Sequence, residues 1–381
     1  MSPNTRLLAQ MRAATRSLIR RGPAVARTMV RESIKNAEVM QHAGKAAADT
    51  TQPAQATQRA AARSGFDPFS DMLADLGRLS QFDINPFHIL PLSGGAAAAG
   101  LPGRFIDGSY TNDAGTRDYK LYVPSTYTGH PAGQAAPFLL MLHGCSQSAD
   151  DFALGTGMNA LAEEYGCLIA YPAQSHQANA QRCWNWFNAV DQQRGQGEPS
   201  ILAGLTHDIM TRYVVDPQRV YVAGLSAGGA MAAILGTQYP DLYAAVGVHS
   251  GLPFGAAHDL SSALAAMQGE FRRQAPGRSL PLIVFHGDRD TTVHPANGEE
   301  LIRRRRRHAS DAVAVEPGQV PNGHAYTRTV HQRQDGTIQA EHWVVHGSGH
   351  AWSGGDTRGS YTDGRGPSAS REMMRFFHTR R

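Results

Sequence analysis

A serine between two glycines is the first group in this chain that could do covalent chemistry. Residues 224–228 read Gly-Leu-Ser-Ala-Gly, directly after the apolar run 220–223 and directly before the helix-like stretch 230–235. A strand, a sharp turn and a helix around a serine are typical of a nucleophile elbow, in which the turn lifts the hydroxyl clear of the sheet edge. Ser226 is therefore predicted to be a nucleophile.

A serine nucleophile needs a base to take its proton and an acid to orient that base, and both residue types follow later predicted strands. Asp288 and Asp290 come after the apolar run 282–285, and His350 lies in a glycine-bounded loop after the run 343–345. The order Ser, Asp, His along the chain is that of the α/β-hydrolases.

Two aspartates compete for the role of the acid. Asp290 lies deeper in its loop and is predicted to be the acid, whereas Asp288 is closer to the strand end and is the alternative, with a cap on the turn as its other role. His346 is expected to belong still to the strand and to be structural, which leaves His350 as the predicted base.

Two backbone N–H groups are candidates to stabilise the oxyanion of a tetrahedral intermediate. The residue after the nucleophile, Ala227, supplies one donor in this fold, and the loop after the third strand supplies the other. The run 138–142 is followed by the loop 143–147, His-Gly-Cys-Ser-Gln, where Cys145 is the candidate donor. Cys145 as a nucleophile is the disfavoured alternative, because the serine elbow already fills that role.

Three tryptophans near these strings are candidate substrate-binding residues. Trp184 and Trp186 stand in the string 183–187, and Trp352 follows His350 by two residues. Aromatic side chains often line ligand sites, so these rings could form an apolar wall for an acyl chain or polymer. Packing in the core is the alternative.

The chain has three cysteines, too few for a disulfide framework and without metal-ligand spacing. Cys145 and Cys183 both lie in loops, and we hypothesise that a disulfide between them pins the second loop beside the oxyanion donors. Cys167 falls in an apolar run, where a buried free thiol is expected.

Alternating strands and helices must position these groups. Continuous apolar runs predict strands at 138–142, 167–171, 220–223, 244–248, 282–285 and 342–345, after a half-exposed strand at 117–123. Helical patterns cover 158–165, 201–213, 227–239, 297–308 and 370–377. This alternation predicts the α/β class, with a mostly parallel sheet and helices on both of its faces. The site of such a sheet forms at the carboxyl ends of the strands.

The first part of the chain differs from the rest in composition and in its hydrophobic pattern. Residues 1–103 are interpreted as a partly helical or disordered N-terminal extension with linkers, and residues 104–381 as the catalytic domain. Apolar residues at helical spacing, with arginines between them, predict a basic amphipathic helix over 3–21. Docking of this helix on the main domain is favoured, and contact with a granule or an anionic surface through residues 1–45 is the alternative.

Charge and hydropathy exclude other function classes. The formal charge is +4 over 381 residues, and its arginine excess lies largely in the first 45 residues, so nucleic-acid binding is not expected. The arginine run 303–307 is interpreted as the solvated end of a helix. No run approaches the roughly 20 apolar residues of a membrane-spanning helix. Arginines interrupt the N-terminal apolar residues, so no secretory signal is predicted.

Four strings of the chain, 142–147, 183–187, 223–229 and 349–352, together resemble the polyhydroxybutyrate (PHB) depolymerase family of esterases. The likeness is to short-chain-length polyhydroxyalkanoate depolymerases with type 1 catalytic domains, and it covers about residues 104–378. It implies an α/β-hydrolase fold and a triad of Ser226, Asp290 and His350. It also implies hydrolysis of poly(3-hydroxybutyrate) or related short-chain esters through an acyl-enzyme, without a metal or other cofactor.

The resemblance leaves the substrate and the location open. Related esterases act on feruloyl or acetyl esters of plant polysaccharides, so a carboxylesterase of that kind is the alternative. A granule-surface binding protein that uses the N-terminal arm is the non-enzymatic alternative. The family implies an extracellular location, and a cytoplasmic or granule-associated location is the alternative because no signal peptide is visible.

Overall fold

The computed structural model of the chain describes residues 100–129, 135–271, 280–305 and 312–379. The N-terminal extension up to residue 99, with its predicted amphipathic helix and linkers, lies outside the described residues, as do residues 306–311 at the end of the arginine run. None of the described helices is long and apolar enough to cross a membrane.

One large sheet runs through the described residues. Its strands are β1 (Arg104–Asn112), β2 (Gly115–Val123), β3 (Ala136–Leu142), β4 (Leu168–Pro172), β5 (Val215–Leu225), β6 (Ala245–His249), β7 (Leu282–Gly287), β8 (Ala312–Gln319), β9 (Ala325–Gln332) and β10 (Ile338–Val345). The short strands β11 (Trp352–Ser353) and β12 (Thr362–Asp363) pair separately. The helices are α1 (Ala149–Thr156), α2 (Met158–Tyr165), α3 (Gly197–Arg212), α4 (Ala227–Gln238), α5 (Leu260–Met267), α6 (Ala296–Arg303) and α7 (Ala369–His378).

The centre of the sheet is parallel and its edges are antiparallel. The strand order is β1-β2-β4-β3-β5-β6-β7-β10-β9-β8. Pairing is parallel from β4 through β10, whereas β1 and β2 at one edge and β9 and β8 at the other run antiparallel to their neighbours. The ends of β3, β5, β7 and β10 therefore lie on one side of the sheet, where a site is expected.

Two hydrophobic cores lie on opposite faces of the sheet, because successive side chains of a strand point to opposite sides. Leu140 and Val222 belong to the core that also contains residues of α3, α4 and α5. Their neighbours Leu139 and Ala223 belong to the other core, with α1, α2 and α7. Central strands such as β3 and β7 are consequently buried along their whole length. The predicted α/β sheet with helices on both faces is confirmed.

The predicted elements match the structure where burial is complete. The helix predicted over 158–165 is α2, and every predicted strand has a counterpart. The sequence patterns missed β1, β8, β9, α1 and α5, together with the short strands β11 and β12. β8 is exposed along nearly its whole length. Its apolar run covers only residues 312–315 and is followed by Glu316 and Pro317, so it shows neither a long apolar run nor a regular alternation. His346 was expected within the last strand, but β10 ends one residue earlier, at Val345.

Candidate active site

Ser226 stands at a sharp turn between β5 and α4, with φ 57° and ψ −120°. A positive φ is rare for residues other than glycine and is a form of backbone strain that occurs at functional sites. Two backbone hydrogen bonds hold the turn: Ser226 N donates to His249 O at 2.9 Å, and Ala230 N donates to Ser226 O at 2.9 Å. The strand-to-helix turn predicted from the sequence is present.

The two glycines that flank the serine have no room for a side chain. A Cβ at Gly228 would collide with the carbonyl oxygens of Leu142 and His143, and a Cβ at Gly224 would collide with the backbone of Gly228. The backbone of the turn thus packs directly against the end of β3. This close approach places Ser226 beside the loop 143–147, which carries the second oxyanion candidate.

His350 is hydrogen-bonded to Asp290 at the neighbouring strand ends. The distance from His350 Nδ1 to Asp290 Oδ2 is 2.7 Å, and the Asp290 side chain is completely buried. The other carboxylate oxygen, Oδ1, accepts the backbone N–H groups of Thr292 and Val293 at 2.9 and 2.8 Å. A carboxylate on Nδ1 favours the tautomer with its proton there, which leaves Nε2 of His350 to accept a proton.

Asp290 remains ionised despite its burial. Burial alone raises the pKa of this carboxyl, but the charge of His350 and the hydrogen bonds from His286 and His350 outweigh it and hold the pKa far below its usual range. His286 Nε2 lies 3.4 Å from Asp290 Oδ2 and 2.8 Å from Val293 O. The site therefore holds a fixed negative charge behind His350.

The competing aspartate, Asp288, has a histidine of its own. His346 Nδ1 lies 3.0 Å from Asp288 Oδ2, and Gly347 N donates to Asp288 Oδ1 at 2.7 Å. Burial raises the pKa of Asp288, but the hydrogen bonds from His346 and Gly347 have the larger combined effect and lower the pKa below its usual value. Asp288 thus ties together the loops that follow β7 and β10, whereas Asp290 is the one paired with His350.

Side-chain and backbone contacts clamp the loop 143–147 on both sides. Gly144 N donates to Gln147 Oε1 at 2.9 Å, and Trp184 Nε1 donates to His143 O at 3.1 Å. His143 Nε2 accepts Gln174 N at 3.0 Å. Burial lowers the pKa of His143 to about 4, so this imidazole is neutral and can act as that acceptor. The loop is held by groups that do not titrate near neutral pH.

A disulfide joins Cys145 in this loop to Cys183, with their Cα atoms 4.2 Å apart. This confirms the pairing hypothesised from the two loop positions. Cys167 is a buried free thiol, also as expected, and burial raises its pKa. The two candidate oxyanion donors are held in different ways. Cys145 is held by the covalent bond to Cys183. Ala227 is the first residue of α4, where backbone N–H groups have no acceptor within the helix.

A buried carboxylate, Glu198, fastens the string that contains Cys183 and two tryptophans. Glu198 accepts Asn185 N at 2.7 Å and Asn185 Nδ2 at 2.9 Å, and it pairs with Arg117 Nη2 at 3.0 Å. Burial and the charge of Asp191 raise its pKa, against the effect of these donors. Glu198 therefore anchors the far end of the disulfide.

The three candidate tryptophans are buried in this structure. Trp352 donates through Nε1 to Ser370 Oγ at 3.0 Å and stacks on His249, with ring centroids 5.1 Å apart. Trp186 packs edge-on against the neighbouring ring of residue 187. Burial supports the core-packing alternative for Trp184 and Trp352, which lie beneath the loops of the site. Substrate contact by these rings stays a prediction.

His249, at the end of β6, was missed by the sequence analysis. Its carbonyl accepts Ser226 N, and its side-chain Nε2 accepts Ser353 N at 2.9 Å, three residues beyond His350. Burial, together with the charges of His286 and His350, lowers the pKa of His249 to about 3. A neutral imidazole thus links the elbow to the loop of His350. The available signal was a histidine at the end of a buried strand.

A second missed residue, Asp363, holds the same loop from the outside. Ser348 Oγ donates to Asp363 Oδ2 at 2.9 Å, and His324 Nε2 lies 2.8 Å from the same oxygen. His350 is therefore carried by a loop that is tied at three points, through Asp288, Asp363 and His249. Within the part of the chain that the structure describes, no three His, Cys, Asp or Glu side chains are arranged to hold a metal ion.

Comparison with known proteins gives relatives for this arrangement. The model of the family described as esterase PHB depolymerase matches residues 117–313. Poly(3-hydroxyalkanoate) depolymerase C of Paucimonas lemoignei is 30% identical over 254 residues, 63% of this chain and 59% of that protein. Poly(3-hydroxybutyrate) depolymerase of Ralstonia pickettii is 30% identical over 270 residues, 64% of this chain and 53% of that protein. The chain thus matches less than two thirds of the length of either.

Two further relatives have names that indicate other esters. Feruloyl esterase B of Thermothelomyces thermophilus is 30% identical over 204 residues, 48% of this chain and 67% of that protein. The structure of an acetyl xylan esterase from Aspergillus awamori has a TM-score of 0.54 at 18% identity and covers 72% of this chain and 99% of that one. The structural likeness shows the fold, which is that of the α/β-hydrolases.

Proposed function

The chain belongs to the esterase PHB depolymerase family, and from this membership we propose that it is a serine esterase with Ser226 as its nucleophile. The proposed substrates are poly(3-hydroxybutyrate), related short-chain polyhydroxyalkanoates and their oligomers. The observation that carries the proposal is the strained turn at Ser226 on the same sheet edge as the buried Asp290–His350 pair. Ser226, Asp290 and His350 are the proposed nucleophile, acid and base of ester hydrolysis.

In the proposed acylation, Ser226 Oγ attacks the ester carbonyl carbon while His350 Nε2 takes the hydroxyl proton. The Asp290 carboxylate stabilises the imidazolium that forms, because its negative charge is retained in the buried site. His350 then returns the proton to the leaving alcohol oxygen as the ester bond breaks. The acyl group remains on Ser226 as an ester.

Deacylation repeats these steps with water in place of the serine. His350 removes a proton from the water, the resulting hydroxide attacks the acyl carbonyl, and the proton returns to Ser226 Oγ as the acid leaves. In both steps the carbonyl oxygen becomes negative. The N–H groups of Ala227 and Cys145 are the proposed donors to it, and each such donor is typically worth about 10²-fold to 10³-fold in rate.

A carboxylesterase acting on feruloyl or acetyl esters is the alternative, and a specific observation favours it. Relatives named feruloyl esterase B and acetylxylan esterase match the chain alongside the depolymerases. The proposed Ser226, Asp290 and His350 chemistry is the same for every ester, so the difference lies in what surrounds the acyl and alcohol groups. Substrate comparison, rather than the triad, must separate the two.

The test compares Ser226→Ala with the unaltered protein on p-nitrophenyl butyrate. Loss of the attacking oxygen is expected to lower kcat by about 10⁴-fold or more without changing the melting temperature. Ser109→Ala is the matched control, since Ser109 is exposed on the edge strand β1 and should keep full activity. Undiminished turnover by Ser226→Ala would refute the proposal that Ser226 is the nucleophile. Product release from hydroxybutyrate oligomers, the polymer and feruloyl esters then identifies the substrate class.

A further inference from the structure

An exposed tyrosine lies at the edge of the candidate site. The exposed large hydrophobic side chains of the described residues are Val190, Val313, Val315 and Tyr361. Tyr361 alone among these is aromatic, and 47% of it is exposed. The tryptophans near the site are buried, so Tyr361 offers the aromatic surface that they cannot offer to a ligand.

Hydrogen bonds place Tyr361 between the two loops that carry the proposed chemistry. Its carbonyl accepts Trp352 N at 2.7 Å, two residues beyond His350. Its hydroxyl lies 3.3 Å from Ser146 Oγ, next to Cys145. The ring therefore spans the space from the loop of the proposed base to the loop of the proposed oxyanion donor.

The backbone at both ends of this contact is strained. Tyr361 has φ 51° and Ser146 has φ 64°, in the left-handed region that bulky residues rarely adopt. Neighbouring bonds hold these conformations: Ser360 N donates to Asp151 Oδ1 at 2.9 Å, and Ser146 N donates to Gln181 O at 2.7 Å. A surrounding structure that keeps an exposed aromatic ring in a strained position is a feature typical of ligand-contacting sites.

We propose that Tyr361 is a specificity-determining residue that packs its ring against the aliphatic chain of a hydroxyalkanoate oligomer. This inference rests on the proposed esterase function. An oligomer extends past the ester that is cleaved. In the proposed binding mode its next methyl and methylene groups cover the exposed ring of Tyr361 and leave water. A short ester such as p-nitrophenyl acetate has no such extension and gains less from Tyr361.

The experiment measures kcat and KM on the linear trimer of 3-hydroxybutyrate and on p-nitrophenyl acetate. Tyr361→Ala removes the ring, and Tyr361→Asn does so with a residue that tolerates a positive φ, in case alanine destabilises the loop. Both variants are expected to raise KM for the trimer about tenfold, the loss that corresponds to roughly two buried CH₂ groups. The kcat/KM for p-nitrophenyl acetate should fall by less than about threefold.

Two controls distinguish the effect of the Tyr361 ring from the effect of its hydroxyl and from the effect of losing any exposed apolar side chain. Tyr361→Phe keeps the ring but loses the contact with Ser146, and it should keep the KM for the trimer within about twofold. Val315→Ala removes another exposed apolar side chain, on β8, and should change kcat and KM for neither substrate. A trimer KM that stays at the wild-type value in both ring-removing variants overturns the inference.

The remaining outcomes are also decisive. Equal losses of kcat on both substrates, reproduced by Tyr361→Phe, would mean that the hydroxyl positions the loop of Ser146, and the specificity role would fall. An unaltered protein that cleaves feruloyl esters but not the trimer would overturn the assignment of an aliphatic ligand. If the unaltered protein cleaves no ester, the proposed function fails first, and the role of Tyr361 fails with it.

Discussion

Two aspartate–histidine pairs join the loop after β7 to the loop after β10. The pair of Asp290 and His350 is almost completely withdrawn from solvent, with side chains 0% and 11% exposed. The pair of Asp288 and His346 is made of the same residue types but is 39% and 43% exposed. The two aspartates are two residues apart and the two histidines four residues apart, so sequence position alone hardly distinguishes the pairs.

Burial and the number of hydrogen-bond donors distinguish Asp290, the proposed orienting acid, from Asp288. Asp290 accepts two backbone N–H groups besides the imidazole, and His286 Nε2 lies 3.4 Å from the same oxygen that faces His350, so its charge and direction are set by several neighbours. Asp288 has a histidine and one backbone N–H, with water free to compete. An exposed ion pair contributes about 0 to 1 kcal/mol at most. The exposed pair is therefore a tie between loops.

The largest difference between the two pairs is expected when each aspartate is neutralised in turn. Asp290→Asn is expected to lower kcat/KM on p-nitrophenyl butyrate by about 10³-fold to 10⁴-fold, because an amide neither stabilises the imidazolium nor keeps the required tautomer. Asp288→Asn, the matched control on the same loop, should cost less than about threefold. A larger loss for Asp288→Asn would transfer the acid role to the exposed pair.

A smaller effect is expected from moving the two loops apart. A Cβ at Gly287 would collide with the carbonyl oxygens of Ser348 and Gly349, whereas a Cβ at Gly349 would meet nothing within 4 Å. Gly287→Ala should displace the loop of His350 and lower kcat by about 10²-fold, since misplacement by about 1 Å can cost that much. Circular dichroism checks that the variant folds.

Gly349→Ala is the matched control, because it adds the same methyl group to open space. It should retain activity within about twofold. The exposed pair can follow a displaced loop, whereas the buried pair cannot without losing its backbone donors. Equal activity of the two alanine variants would show that the spacing of the loops does not limit the buried pair.

The contrast between buried and exposed histidines also predicts the dependence of stability on pH. Burial, with the charges of His286 and His331, lowers the pKa of His342 in β10 to about 3. The unfolded chain takes up a proton as the pH falls below about 6.5, and the folded protein does not until about pH 3. Above pH 6.5 His342 therefore does not change the stability. As the pH falls from 6.5 toward 3, protonation of the unfolded chain lowers the free energy of unfolding, by roughly 1 to 2 kcal/mol at pH 5.

His342→Phe tests this by removing the group that titrates while keeping an aromatic side chain of similar size. The free energy of unfolding is measured by urea denaturation at pH 7.5 and at pH 5. The loss between these two pH values should be smaller in the variant than in the unaltered protein, by roughly 1 to 2 kcal/mol. The unaltered protein at the same two pH values is the reference. Parallel losses in the two proteins would show that His342 is protonated in the folded state.

Predictions from the sequence succeeded where one physical requirement dominated the pattern. The strand and helix around Ser226 were predicted because the elbow needs small residues at Gly224 and Gly228, and both are closely packed in the structure. The buried strands were predicted because their runs are apolar throughout. The exposed hairpin strand β8 was missed because nothing about an exposed edge constrains side-chain type.

Residue types and their spacing were enough to predict the proposed chemical groups, their order along the chain and the buried strands at whose ends Ser226, Asp290 and His350 lie. The pairing of each aspartate with its histidine, the burial of Trp184 and Trp352 and the exposure of the Tyr361 ring became known from the folded structure. The physical reason is that residue type and periodicity are local, whereas pairing and burial depend on loops from distant strands meeting in space.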